Sequence, residues 1–170
     1  MGLSELLLPE FEREMQTTRR VLERVPEDKR DFRPHPTSMT LDRLAGHVAD
    51  LVSWATTTLR QDIFDLAPAG GPGYEALVMV SRDELLKTFD ARVAEARAAL
   101  EKASDDDLGK PWSLLSGGQA IFSMPRIAVW RSFVMNHLVH HRGQLSVYLR
   151  MNGVPVPSLY GPSGDEQSFE

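Results

Sequence analysis

The chain has 170 residues, of which 42% are hydrophobic and 25% charged, with a formal net charge of −5 and no cysteine. That composition fits one ordinary globular domain spanning 1–170, able to bury roughly two-thirds of its unfolded surface. The acidic balance argues against a nucleic-acid partner, and without cysteine any metal must be held by nitrogen and oxygen.

Four segments carry the 3.6-residue apolar period of helices, and little carries the two-residue period of strands. The first spans about residues 8–25, with Phe11, Met15, Thr18, Leu22 and Val25 on one stripe. Pro9 falls in its first turn, where a missing N–H costs nothing. The second runs from Thr40, its N-cap, to about Gln61, with Leu41, Leu44, Ala45, Val48, Val52, Ala55 and Leu59 as its stripe. The third opens at "SRDE", where Ser81 and Glu84 are spaced as a capping box and Val80 and Leu85 as a hydrophobic staple. Its buried face is Leu85, Phe89, Val93, Ala96, Leu100 and Ala103. The fourth opens at "SMPR", with Ser123 as cap and Pro125 in the first turn. It closes at "MNGVPVP", where Asn152-Gly153 suits a left-handed C-terminus and Pro155 stops the helix.

Four long helices predict an all-α, four-helix bundle. The connections 62–80 and 104–122 are long and leave room for crossovers, and 154–170 reads as an irregular tail. No stretch approaches the ~20 apolar residues of a membrane span. The opening "MGLSELLLPE" lacks the basic and apolar regions of a secretory signal, so the expectation is a cytoplasmic protein with no membrane partner.

The chemistry concentrates in "NHLVHHRGQL" (136–145), which holds three of the chain's five histidines. At about 100° per residue, Ile127, Trp130, Val134, Leu138, Leu145 and Tyr148 form the apolar stripe of the fourth helix. His137 and His141 fall inside it, one turn apart, and His140 lies about 120° away toward water or a rim. Two imidazoles at i and i+4 can converge on one ion; they can equally be core histidines bonded to backbone or to each other. A third nitrogen ligand would have to be His35 or His47. His35 sits in "RPHPT" as an exposed loop residue. His47 lies on the flank of the second helix's stripe, which can face the fourth helix or solvent.

Around these, Asp50 is one turn after His47 and can orient a ligand or a metal-bound water, although its direction favours a solvated carboxylate. Gln144 can cap the pocket or tie helix to loop. Arg142 and His140 point off the apolar face and read as rim or tail-anchoring groups. Trp54, Trp112 and Trp130 suit either a pocket wall or, more simply, core. Gly143 in mid-helix costs roughly 1 kcal/mol relative to Ala and suggests a close backbone contact. "GPGYEA" (71–76) lacks the strand a dinucleotide loop needs, and no zincin, di-iron, Walker or EF-hand motif is present.

"DFRPHPTSMTLDRL" (31–44), "LAGHVADLVSW" (44–54) and, most specifically, "NHLVHHRGQLSVYLRMNGVPVPSLYGPSGDE" (136–166) resemble the DinB damage-inducible family, the bundle superfamily of bacterial thiol transferases and metalloproteins. The resemblance implies that family's fold with long crossovers. It also implies one divalent metal (zinc, nickel or iron) bound by one histidine of the second helix and two of the last, positions matched by His47, His137 and His141. It further implies a metal-dependent enzyme that activates a low-molecular-weight thiol against a small electrophile, and a homodimer. A metal-dependent hydrolase and a non-catalytic metal-binding stress-response scaffold are the alternatives. No residue beyond the metal set is identifiable as catalytic.

Overall fold

The computed structural model describes residues 2–167; Met1 and 168–170, the ends of the 1–170 span, lie outside the described residues. Its frame is helical: α1 (Leu3–Leu22), α2 (Leu41–Arg60), α3 (Arg82–Lys102), a short α4 (Asp105–Gly109), and a last helical run. That run consists of α5 (Arg126–Ala128), a π-helical stretch (Val129–Met135) and α6 (Asn136–Met151). The all-α bundle expected from the apolar periods is what forms, joined by a small sheet that those periods did not announce.

α2 packs chiefly against α3 and α6, α1 packs against α3, and α6 closes onto α1. The crossovers therefore fall on the links from α1 to α2 and from α3 to the last helical run. The long connection 62–80 instead joins the neighbours α2 and α3. The stripes face one common core. Phe11, Leu22, Leu41, Leu44, Phe89, Leu100, Trp112 and Trp130 are all buried in it.

Several local expectations are corrected. α1 begins at Leu3, and Pro9 lies inside it. The early start is supported by acids: the Glu5 carboxylate accepts from the Gly2 N–H at 3.0 Å, and Asp105 accepts from Leu3 at 2.7 Å. These carboxylates satisfy donors that a helix N-terminus otherwise leaves open. At α3, Ser81 caps Glu84 N–H at 3.2 Å as its spacing suggested, but Val80 is exposed and staples nothing.

Ser123 and Pro125 do not open the last helix; they belong to a strand. β1 (Ile63–Asp65) pairs in parallel with β2 (Pro111–Ser116), which pairs antiparallel with β3 (Gln119–Pro125). Gly117 and Gly118 make the hairpin turn with φ of +60° and +78°, a backbone that glycine adopts without a Cβ clash. Asp65 holds this turn, its carboxylate accepting from Gly117 and Gly118 N–H at 2.9 and 2.7 Å. The helical run then starts at Arg126, whose buried guanidinium reaches Asp62 at 2.6 Å. At its far end Gly153 has φ +71°, Gly153 N–H donates to Arg150 and Val154 N–H to Leu149, the paired bonds of a Schellman motif.

Candidate metal centre

The face of α2 that meets α6 carries His47, and the facing turns of α6 carry His137 and His141. The structure brings all three imidazoles together, with one ligand atom of each lying within 4.8 Å of the others. His47 Nε2 and His137 Nε2 are 3.4 Å apart. Ring centroids are 4.5 Å apart for His47 and His141, and 4.7 Å for His137 and His141. The flank position of His47 thus faces the other helix and not open water.

The donor set fits an ion. Two nitrogens on one tetrahedral metal with bonds of about 2.0–2.1 Å stand roughly 3.3 Å apart, close to the observed His47–His137 separation. His141 Nδ1 is 2.7 Å from the Gln144 amide oxygen, which can only accept. That bond places the proton on Nδ1 and leaves Nε2 bare, the usual way an outer partner fixes a ligating tautomer. Gln144 is therefore tied to a histidine and not to a loop.

Electrostatics keeps the cluster neutral. Burial, then His141 and His137, push the His47 pKa down to about 4, against a weaker pull upward from Asp50. His137 is lowered by burial and by His141, opposed by the Phe133 carbonyl, and His141 is lowered by burial, opposed by its bond to Gln144. Neutral imidazole is the form that binds metal. A group of three histidines that could hold a metal ion is thus present.

His140 and His35 stay outside. His140 is exposed, its ring edge-to-face with His141 at 4.8 Å, and His35 is exposed and bonded to Thr37. Asp50 corrects its reading as a solvated carboxylate: it is 3% exposed, paired with Arg92 at 2.6 Å, and accepts from the Tyr74 hydroxyl. Three residues after His47, Asp50 stands about 60° round α2 from it, toward α3, where it meets Arg92. Arg142 corrects its reading as a rim group. It is 1% exposed and bonds Glu14 of α1, although its contact with Tyr160 does anchor the tail.

Gly143 is not a close approach: a Cβ there would meet nothing within 4 Å. The close approach belongs to Gly46, beside His47. A Cβ at Gly46 would lie 2.1 Å from the Leu77 carbonyl oxygen, so only glycine lets the 74–80 segment lie on α2. Met79 N–H donating to the Asp42 carbonyl, and Arg30 donating to the Met79 and Val80 carbonyls, hold that segment down. Between it and α2 lies a cavity of about 430 Å³ lined by Met39, Arg43, His47, Glu75, Ala76, Leu77 and Val78.

On the other side, Phe133 packs on His137 at 5.6 Å and on Trp54 at 5.2 Å, and Trp54 packs on Tyr74 at 5.4 Å. Trp112 and Trp130 are core, whereas Trp54 is both core and the back of this wall. Phe133, Tyr74, Arg92, Arg43 and Glu75 carried no motif. The glycine of "LAGHV" was the one signal of a nearby wall.

A profile of the DinB family matches residues 1–168. The chain belongs to the DinB family. Among curated relatives, the uncharacterized protein YrdA of Bacillus subtilis is 47% identical over 34 residues, a stretch covering 20% of each chain. Similar solved folds include a DinB-like protein from Bacillus subtilis (YjoA), with TM-score 0.67 and 18% identity over 95% of this chain and 98% of that one. A DinB-like protein from Bacillus cereus gives TM-score 0.66 and 22% identity over 90% and 95%. At such identities the likeness is one of fold, and it fits the DinB helix arrangement described above. No helix among the described residues is long and apolar enough to cross a membrane.

Proposed function

We propose that His47, His137 and His141 together bind one divalent metal ion and that the protein is a metal-dependent enzyme acting on a small thiol and an electrophilic partner. The observation that carries this is the convergence of three neutral imidazoles from α2 and α6 beside a cavity. Three protein ligands leave coordination free, as catalytic sites do and closed structural sites do not. Zinc, nickel and ferrous iron all suit three nitrogens, and affinity order does not choose among them. When bound, such an ion supplies charge that lowers the pKa of a water or thiol.

The chain's own residues do the rest. Gln144 fixes the tautomer and ring direction of His141. Phe133, backed by Trp54, excludes water from one side of His137 and keeps its surroundings apolar. The 74–80 segment, seated on Gly46, gives the cavity beside His47 its opposite wall.

The test is bound metal per chain in protein purified without a histidine tag. His47→Ala, His137→Ala and His141→Ala should each lose most of the metal, and His140→Ala should keep it. Gln144→Ala should weaken metal affinity by about 10–100-fold. Equal losses from His140→Ala and His137→Ala would remove the assignment. Metal-loaded protein is then screened for conjugation of low-molecular-weight thiols to electrophiles.

A further inference from the structure

The cavity beside His47 carries two charges that nothing among the described residues neutralises. Arg43 sits one helical turn before His47, on the same side of α2, and Glu75 comes from the facing segment; both line the cavity. Neither side chain makes an ion pair or hydrogen bond among the described residues. They do not pair with each other, although they share one cavity.

The surrounding charges are committed elsewhere. Asp42 lies next to Arg43 in sequence, but its carboxylate accepts from the Thr40 hydroxyl and stands 3.9 Å from Arg30. Asp50 is held by Arg92 and Tyr74. Arg43 from α2 and Glu75 from the facing segment remain as one cation and one anion lining the same cavity. Met39, Ala76, Leu77 and Val78 give the cavity an apolar lining between them.

We propose that this cavity recognises a small zwitterion, with its carboxylate on Arg43, its ammonium on Glu75 and its sulfur-bearing arm directed to the three-histidine site. A guanidinium binds a carboxylate through two parallel N–H bonds, and a carboxylate is the natural partner of an ammonium. The ligand class is therefore an amino-acid-like thiol and not a simple alkyl thiol. This rests on the metal reading only for the role of the sulfur; recognition of the two charges does not depend on an ion.

The experiment uses the full chain and four thioethers, whose sulfur is a weak ligand for zinc; the metal-free titration separates charge recognition from amino-acid chelation of the ion. S-methylcysteine has both charges, 3-(methylthio)propanoate only the carboxylate, 2-(methylthio)ethylamine only the ammonium, and 2-(methylthio)ethanol neither. Each is titrated into metal-free and into zinc-loaded protein and followed by NMR at the Arg43 Nε–H. S-methylcysteine is expected to bind at least about tenfold more tightly than either singly charged probe, the size of one charge-assisted bond in affinity. Arg43→Gln should bring it down to the level of the amine, and Glu75→Gln to the level of the acid. Neither change should alter binding of 2-(methylthio)ethanol. Four probes binding alike, no binding in the metal-free protein, or no movement of the Arg43 signal would overturn the proposal. Metal content, measured on the same samples, reports separately on the three-histidine reading.

Discussion

His141 and Arg142 are adjacent on α6, yet they lead into polar clusters of opposite kinds. Arg142 is 1% exposed and ends in a closed circuit: Glu14 carboxylate at 2.7 Å, Thr18 hydroxyl at 3.1 Å, Glu14 carbonyl at 3.2 Å, and the Tyr160 hydroxyl. Tyr160 in turn donates to Glu14 at 2.9 Å, and Thr18 donates to the Glu14 carbonyl at 2.7 Å. Charge is balanced there, and the donors meet acceptors. Among the described residues the histidine cluster has three bases facing one another, no opposite charge bonded to them, and neutral outer partners, the Gln144 amide at His141 and the Phe133 carbonyl at His137. A polar cluster that completes itself holds the fold together. One that leaves lone pairs converging on a common point awaits something from outside.

The largest effect should come from opening the closed circuit. Arg142→Ala leaves the Glu14 carboxylate buried without its partner, which typically costs about 3–5 kcal/mol. Urea denaturation of metal-free protein measures this, and the double variant Arg142→Met, Glu14→Gln should recover most of the loss. A loss below about 1 kcal/mol would mean that the circuit is ornamental.

The open cluster should respond to metal and not to truncation. At a hundredfold excess over Kd, metal should stabilise the folded state by about 2.7 kcal/mol, because the site exists only when α2 and α6 are packed. His137→Ala should erase that increment in thermal melts. An undiminished increment in this variant would make the cluster structural like its neighbour.

Gly46→Ala tests the wall of the open cluster. The added methyl meets the Leu77 backbone, and overpacking of this kind costs about 1–3 kcal/mol. Its metal-free melting temperature should fall, whereas Gly143→Ala, with open space around it, should leave it unchanged or raise it.

The most gradual effect is the pH dependence of the metal-free protein. His47 has its ordinary value of 6.5 when unfolded and about 4 when folded, and His137 and His141 are shifted in the same direction. Below 6.5 the unfolded chain takes up protons that the folded chain refuses, so stability is full above 6.5 and declines as pH falls toward 4. Melting temperatures between pH 7.5 and 4 should show this slope, and His47→Ala should flatten part of it. Metal binding should accordingly persist at pH 6. A flat profile in the wild type would show that the imidazoles are not held neutral.

The helix stripes were legible because burial repeats with a local period: Leu41, Leu44, Val48 and Val52 need nothing distant to be recognised. His137 and His141 were legible for the same reason. His47 was left on a flank by the helical wheel, and its match to the family pattern singled it out, since only the packing of α6 decides which flank is covered. Asp50 and Arg142 were misread because a buried charge is permitted by partners far along the chain, Arg92 for the first and Glu14 for the second. Nothing in either helix announces those partners. The hairpin was missed although "SGGQ" lies between two apolar runs, because strands of six and seven residues leave little room for alternation to stand out. The close backbone approach at a mid-helix glycine belongs to Gly46 and not to Gly143, since spacing does not say which helix face another backbone touches.

The π-helical stretch from Val129 to Met135 takes more residues per turn than the α-helix on either side of it. The two flanking parts therefore cannot lie on one common wheel, and the angular position of His137 and His141 is set by how many residues this stretch holds. Forcing these seven residues into regular α-helix with none deleted would over-rotate everything downstream by roughly one residue's turn, on the order of 100°, relative to Arg126, carrying the two histidines away from α2. In a comparison of related sequences, a one-residue gap within this stretch would therefore be compatible with the site, because a regular α-helix one residue shorter brings the two histidines back to nearly the same face.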